Sequence, residues 1–436
     1  MDAQTAGAGA PRPDTTPDTT LAPAADHGGC VSRCAVIRIC LLALVVRVAW
    51  GVLVPVGPVS DSQAYLTFAQ NVASGGGYGW RPGEPSAFWA PGTSLLYAAL
   101  FRVFGEGFAP IVAVNVVLGV VGVWLTLIIA ARLLGPRAGI IAGVIAALWP
   151  FHIEFTTILA SELPCTTLSL AGMAAWIFWR DRPAARIIVG GVLFALAAYT
   201  RPTALLVPVI ISGLDFLRGP DRGRTFVHAA LLGLVMAATI APWTIRNARV
   251  FDGAFVPIST NDGANFWMGN NPETTGHYQP LPDWVDGMGE VERNRALKRA
   301  AMQYIAEEPV AFLKRTGIKL VLLHDRQTMG ITWNKGLERV FPEPAIKALK
   351  LAGQAYWLGV LALGVAGVWL LLVRRGVWAV LLSPIVAIWA YYALSHAIIV
   401  VQDRYLYPAT PMIAMLAGFA LAAAWQARER RRQPAA

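Results

Sequence analysis

Residues 35–65 read AVIRICLLALVVRVAWGVLVPVGPVSDSQAY, a long apolar run that ends in a carboxylate. The run is long enough to cross a bilayer, and no small-residue cleavage site follows it, so the sequence predicts a retained anchor and not a signal peptide. Asp61 then stands at the head of Ser60-Asp61-Ser62-Gln63-Ala64-Tyr65, with Gly75-Gly76-Gly77 and Phe88-Trp89-Ala90-Pro91-Gly92 behind it. A carboxylate fixed where an anchor leaves the membrane suggests chemistry done at the bilayer surface. By itself Asp61 also has a plain reading, as the N-cap of a helix over 61–73.

Working outward, the composition agrees with a membrane chain. Of 436 residues 56% are hydrophobic and 14% charged, against about a quarter charged in soluble domains. The net charge of +10 is spread in short arginine clusters between apolar runs, so it marks loops facing the cytoplasm and no nucleic-acid surface. Cys30, Cys34, Cys40 and Cys165 lie at or inside apolar segments. They imply no disulfide framework, and the Cys30/Cys34 spacing has no second pair to complete a metal site. Residues 1–31, rich in Pro, Ala, Thr and Asp, read as a disordered cytoplasmic tail.

Apolar runs place spans near 35–56, 107–132, 138–150, 155–179, 186–200, 202–217, 226–245, 351–373, 377–399 and 405–426, about ten in all. Arg132 and Arg137, then Arg180, Arg182 and Arg186, then Arg218, Arg222 and Arg224, then Arg374 and Arg375 alternate with loops almost free of arginine. With the basic tail 427–436 on the same side, both termini are expected in the cytoplasm. The organisation expected is a membrane module over 32–245 that includes a first outer loop at 57–106, an extracytoplasmic domain at 246–350, and closing spans over 351–426. The first outer loop should carry two interfacial helices, one over 61–73 and one from Pro91-Gly92 to Phe104. Segment 246–350 opens with strand-like sequence, Phe255-Val256-Pro257-Ile258, and continues as charged helices around 290–306 and 309–323. No internal repeat appears, which weighs against a transporter made of two matched halves.

Ionisable residues at span edges are functional candidates because burying them is expensive. On the outer side these are Asp61, His152, Glu154, Glu162, Arg201, Arg246, Arg249, Asp403 and Arg404. Carboxylates mixed with guanidiniums suit a reaction that pairs a general base with an anionic leaving group, since arginine grips phosphate oxygens through its planar fork. Arg201 is the lone cation of a very short outer loop, against the inside bias. Glu162 falls inside a span and needs a cavity or a cation; Arg47, in the first span, is one possible partner. Arg404 has Asp403 beside it, so a local ion pair is the plain alternative there. His152 and Glu154 are too few for a metal site.

Taken in order, these residues resemble the GT-C glycosyltransferases, in particular the branch of protein O-mannosyltransferases and bacterial aminoarabinose transferases of lipid A. Ser60-Asp61 through Tyr65 is similar to that family's acidic first-loop motif, Phe88-Trp89-Ala90-Pro91-Gly92 to its Pro-Pro-Gly turn, and Ser161-Glu162 to its acidic fourth-helix position. Pro242-Trp243-Thr244-Ile245-Arg246-Asn247 with Gly269-Asn270-Asn271-Pro272, and Arg404-Tyr405-Leu406-Tyr407-Pro408, resemble later landmarks, and the likeness covers about residues 35–425. It implies an all-α polytopic membrane protein of GT-C type that moves a sugar, with inversion, from a polyprenyl-phosphate donor to a glycan, glycolipid or protein acceptor. Asp61 would be the catalytic base, and Tyr65, Glu162, Arg201, Arg246, Asn247, Arg404 and Tyr405 would hold substrate. The partners implied are the lipid-linked donor, membrane lipid and the acceptor, with no nucleic acid; no cofactor is called for, and a divalent metal is not indicated. The expected place is a bacterial inner membrane, with the site facing outward, in the building of an envelope glycan or lipopolysaccharide or in protein glycosylation. Ser62 stands where many relatives carry a second acid, which leaves that part to Glu162, and Trp89-Ala90 replace the lysine of the aminoarabinose branch. The rival readings are a flippase for lipid-linked sugars and a noncatalytic assembly protein.

Overall fold

The computed structural model describes residues 31–432. The expected disordered tail, Val31 apart, lies outside them, as do Cys30 and residues 433–436 of the basic tail. Helix α1 (Arg33–Leu53) is opened by Ser32, whose hydroxyl accepts the Ala35 amide. Two helices then occupy the segment 57–106, α2 (Asp61–Ala73) and α3 (Pro91–Phe104), over the stretches expected to be helical. A glycine turn with φ +87° at Gly75 and +90° at Gly77 ends α2, a conformation other residues adopt only under strain. Proline at the first position of α3 gives up an amide that has no helical partner there.

The chain continues through α4 (Ala109–Leu134) and α5 (Pro136–Leu148), then turns by 53° into α6 (Pro150–Glu154). After an irregular stretch come α7 (Glu162–Phe178), α8 (Pro183–Thr200), α9 (Val207–Arg218) and α10 (Arg222–Val250). Segment 246–350 holds the end of α10, then α11 (Asp262–Gly269), α12 (Glu290–Glu307), α13 (Pro309–Asp325), α14 (Met329–Trp333) and the start of α15 (Glu343–Arg375). The chain closes with α16 (Val377–Leu381), α17 (Pro384–Ile398), a 3-10 segment over Asp403–Ala409, and α18 (Thr410–Arg432).

The chain is an all-helical, multi-pass membrane protein. Among the described residues six helical segments are long and apolar enough to cross a bilayer alone, seven if bent α5 and α6 make one span. The count of ten is therefore not reached by length and composition; the remaining expected runs are the shorter helices α7, α9 and α17. Run 155–179 is interrupted before Glu162, and run 377–399 is cut at Leu382-Ser383-Pro384, where Ser383 caps α17 through the Val386 amide. Segment 255–258, expected to be strand-like, joins no sheet. Its carbonyls are taken by α10 side chains instead: Asn247 donates to Val256 O at 3.0 Å, Thr244 to Pro257 O at 2.9 Å and Trp243 to Ile258 O at 2.8 Å.

Helix α18 is the axis of the bundle, its apolar stretch almost wholly buried. It approaches α15 at Gly364 and Gly367, where any Cβ would meet Ile413 and Leu416, and α5 at Gly418 against Ala138 and Ala142. Small residues at these crossings let helices pack closely in lipid, where no hydrophobic effect drives them together. Arg47 does not pair with Glu162. It donates to Ala43 O and Ala147 O at 3.2 Å and to Ala146 O at 3.3 Å, and so caps the end of α5 where the helix breaks.

Candidate active site

Four elements end at one place: the N-termini of α2 and α7, the C-terminus of α8, and the 3-10 segment before α18. Asp61 is the first helical residue of α2, not its cap, and no side chain caps that helix. Ser60 before it holds φ +52°, a strained backbone that turns Asp61 inward. Glu162 opens α7 because residues 158–161 leave helical geometry. It thus begins a helix, where a continuous run over 155–179 would have placed it inside a span about two turns from the end. Arg201 closes α8, its turn fixed by Pro202.

The side chains form a chain of ion pairs, Asp61–Arg404–Glu162–Arg201. Arg404 Nη2 donates to Asp61 Oδ2 at 2.5 Å, and Arg404 Nη1 to Glu162 Oε1 at 3.1 Å. Arg201 Nη1 donates to the same Glu162 oxygen at 2.6 Å and to Ser161 Oγ at 3.2 Å. Two acids and two guanidiniums leave the quartet electrically neutral, and Glu162, at 0% exposure, is tolerable only because both cations reach it. Tyr65 donates to Ser161 Oγ at 3.2 Å, and the Tyr405 ring lies 5.3 Å from both guanidinium carbons. Asp61 and Arg201 keep 15% and 12% of their side chains exposed, against 3% for Arg404, so the quartet opens on their side. Arg201 Nε and Nη2 have no acceptor among the described residues.

The structure therefore brings together Asp61, Tyr65, Glu162, Arg201, Arg404 and Tyr405. It does not bring Arg246 and Asn247 to them. Arg246 donates to Ser86 O at 2.8 Å and Tyr78 O at 3.1 Å and stacks on Trp243, so it holds the loop between α2 and α3; Asn247 is occupied by Val256. Asp403 turns away from Arg404 and accepts the Thr328 and Met329 amides at 2.6 and 2.9 Å. His152 is bonded to Thr410 and stacked between Trp149 and Tyr407. Glu154 is buried beside Gly330, and Arg249 lies in the last turn of α10. Among the described residues no group of three or more His, Cys, Asp or Glu could hold a metal.

Three contributors were not legible in the sequence. Gln402 accepts Arg404 Nε at 2.7 Å, and Trp333 lies 4.2 Å under the same guanidinium. Glu290, first residue of α12, accepts the Ala87 amide at 2.8 Å and the Ser86 and Thr260 hydroxyls at 2.6 Å. That clasp continues to the quartet: Ala87 leads to Trp89, whose ring meets Tyr65 edge-on at 5.6 Å. Gly92 lets α3 touch α8, since a Cβ there would lie 2.8 Å from the backbone of Tyr199.

Residues 87–245 match the family model of the dolichyl-phosphate-mannose-protein mannosyltransferases. No curated protein matches the chain in sequence. Among solved structures it is similar to the Archaeoglobus fulgidus oligosaccharyltransferase tethered with an acceptor peptide, with a TM-score of 0.57 and 14% identity over 92% of this chain and 51% of that one. The archaeal oligosaccharyltransferase AglB, in complex with an inhibitory peptide and a dolichol-phosphate, gives 0.51 and 13% over 92% and 52%. ArnT from Cupriavidus metallidurans, bound to undecaprenyl phosphate, gives 0.44 and 14% over 90% and 79%. The chain spans about half the length of the oligosaccharyltransferases it resembles. It is a multi-pass membrane protein with the GT-C glycosyltransferase fold, and over residues 87–245 it carries the sequence pattern of the mannosyltransferase family.

Proposed function

We propose that the chain is a glycosyltransferase that moves a sugar from a polyprenyl-phosphate carrier to an acceptor hydroxyl or amide at the outer face of the cell membrane. The observation that carries the reading is the quartet itself: a partly exposed carboxylate tied to a guanidinium, beside a second guanidinium with unused donors. The similar AglB structure holds a dolichol-phosphate, a ligand of the chemistry this arrangement suits. An apolar cavity of about 620 Å³ between α9 and α10 supports the same donor. It is lined by Leu205, Pro208, Met236, Ile240 and Thr244, and Leu205 lies in the 3-10 segment Pro202–Leu206 that starts directly after Arg201. Phosphate on Arg201 thus leaves an isoprenoid tail to descend into this cavity.

In the resting quartet the Asp61 carboxylate is engaged by Arg404. An incoming donor phosphate competes for Arg404 and takes up Arg201 Nε and Nη2, and Asp61 is released toward the acceptor. Asp61 then accepts the acceptor's proton while its oxygen or nitrogen bonds to the anomeric carbon. The bond from that carbon to the phosphate oxygen breaks on the opposite face, with inversion. The negative charge gained by the leaving phosphate falls on the two arginines, whose preorganised donors stabilise it.

The test is transfer from a polyprenyl-phosphate sugar by the purified protein in lipid nanodiscs, comparing wild type with Asp61→Asn. Loss of about 10²–10⁴-fold in turnover is expected of a missing general base. Wild-type turnover by the variant refutes the base, and movement of an intact donor across vesicles without cleavage makes the protein a flippase.

A further inference from the structure

At the end of the bundle away from the quartet, α7, α8, α9 and α10 meet, and their arginines gather round one acid. Asp215 Oδ1 accepts Arg180 Nη2 at 2.6 Å, and Oδ2 accepts Arg186 Nη2 at 2.9 Å and the Trp176 indole at 3.1 Å. The Arg186 guanidinium lies flat over the Trp176 ring, 3.5 Å from its centroid. Arg218, one turn beyond Asp215 on α9, stands within electrostatic reach of both Asp215 and Arg180. Its Nε and Nη2 are shut off from solvent and have no acceptor among the described residues, and the same is true of Arg186 Nε. Two guanidiniums thus take both oxygens of the single carboxylate, and the third, Arg218 one turn away, is left without an ion-pair partner among the described residues. Desolvated charged donors without acceptors are expensive, and the arrangement lacks an anion.

The missing anion must offer several oxygens and must arrive from the membrane side. Leu217, Phe226 and Val227 beside the cluster are 58%, 65% and 52% exposed, a lipid-facing surface on a membrane helix pair. The end rich in Arg132, Arg137, Arg374 and Arg375 belongs to the cytoplasmic leaflet by charge bias, where anionic lipids collect. We infer that Arg180, Arg186 and Arg218 form a binding site for the phosphate headgroup of an anionic phospholipid in that leaflet. Arg180, 58% exposed, and the open side of Arg218 face the headgroup, and Asp215 holds Arg180 and Arg186 from behind. α7 spans 17 residues from Glu162 to Phe178, so this site lies roughly 25 Å from the quartet and is separate from the donor phosphate.

The full chain in detergent, mixed with equal amounts of phosphatidylglycerol and phosphatidylcholine, is examined by native mass spectrometry for retained lipid. Wild type should retain phosphatidylglycerol in about tenfold preference, which Arg218→Gln should bring close to parity. Arg428→Gln, at the same end but outside the cluster, should leave the preference intact. Should Arg218→Gln fail to fold, Arg180→Gln, whose side chain is 58% exposed, decides the same question by a fall in preference. Unchanged preference in the cluster variants, or an equal fall in Arg428→Gln, overturns the site. Protection of wild type against heat by inorganic phosphate to the same degree as by phosphatidylglycerol makes the ligand a free anion and overturns the lipid.

Discussion

Replacing Arg404 with lysine keeps the charge and removes the fork, and the quartet makes the consequence calculable. Arg404 spends three nitrogens on three acceptors: Nη2 on Asp61, Nη1 on Glu162 and Nε on Gln402. A lysine ammonium is a single point and can hold one of the two carboxylates well. At least one charged hydrogen bond is lost, at about 1.5–3 kcal/mol, with the stacking on Trp333 adding roughly 1 kcal/mol. A loss of about 2.5–4 kcal/mol of stability follows. Arg404→Met goes further, because Asp61 then loses its ion-pair partner and Glu162 keeps Arg201 alone; leaving such a charge unpaired in a buried site costs about 3–5 kcal/mol. If Arg404 also receives the leaving phosphate, Arg404→Lys loses about 10²–10³ in kcat, more than its folding defect explains. The assay is sugar transfer from a polyprenyl-phosphate donor in nanodiscs, run below the melting point of every variant, with melting followed in the same lipid. Transfer by Arg404→Lys within threefold of wild type refutes the bidentate role, and a melting point equal to wild type refutes the bridging one.

Three further outcomes test the surroundings of the quartet. Glu290→Gln replaces a carboxylate that takes three donors from two loops, at about 1–2 kcal/mol; faster proteolysis between Gly75 and Trp89 and a higher acceptor KM should accompany it, and unchanged cleavage of that loop counts against the clasp. Gly92→Ala drives a methyl into the Tyr199–Thr200 backbone, at about 1–3 kcal/mol; because Arg201 follows directly, turnover should fall beyond what melting accounts for. Lys319, buried and donating to Gly269 O, Ile398 O and Ile399 O, is lowered by burial from 10.5 to about 8. Between those values the unfolded chain holds the proton more than the folded one, so thermal stability should gain as pH rises through the window, and Lys319→Met should lack that slope.

The membrane fold was legible because its signals are local. Apolar runs and arginine clusters place the helices, and the ends of α2 and α3 could be read from a glycine turn and a Pro-Gly start. Breaks inside apolar runs were not legible. The stretch before Glu162 is as apolar as a helix, and only the convergence of Asp61, Arg201 and Arg404 on one point explains why the chain leaves helical geometry there. Segment 255–258 failed for the opposite reason: its pattern suits a strand, but α10 side chains satisfy its carbonyls before any partner strand can.

At the site, the ordered motifs supplied the acids and the cations, since an intramembrane charge stands out against an apolar background. What they did not supply was the pairing. Arg47 and Arg246 are arginines of the same kind as Arg201 and Arg404, yet both spend their donors on backbone carbonyls, and nothing in linear order separates a guanidinium that caps a helix or a loop from one that pairs with buried acids. Nor does sequence separate Glu290 from the many acids that open helices. Its first-turn position is favoured by the helix dipole alone, and its grip on Ser86 and Ala87 bridges some two hundred residues. Those long bridges give segment 246–350 a mechanical hold on the loop that carries Trp89, and through Tyr65 on the quartet. A displacement of α12 therefore changes the packing behind Asp61 without touching it.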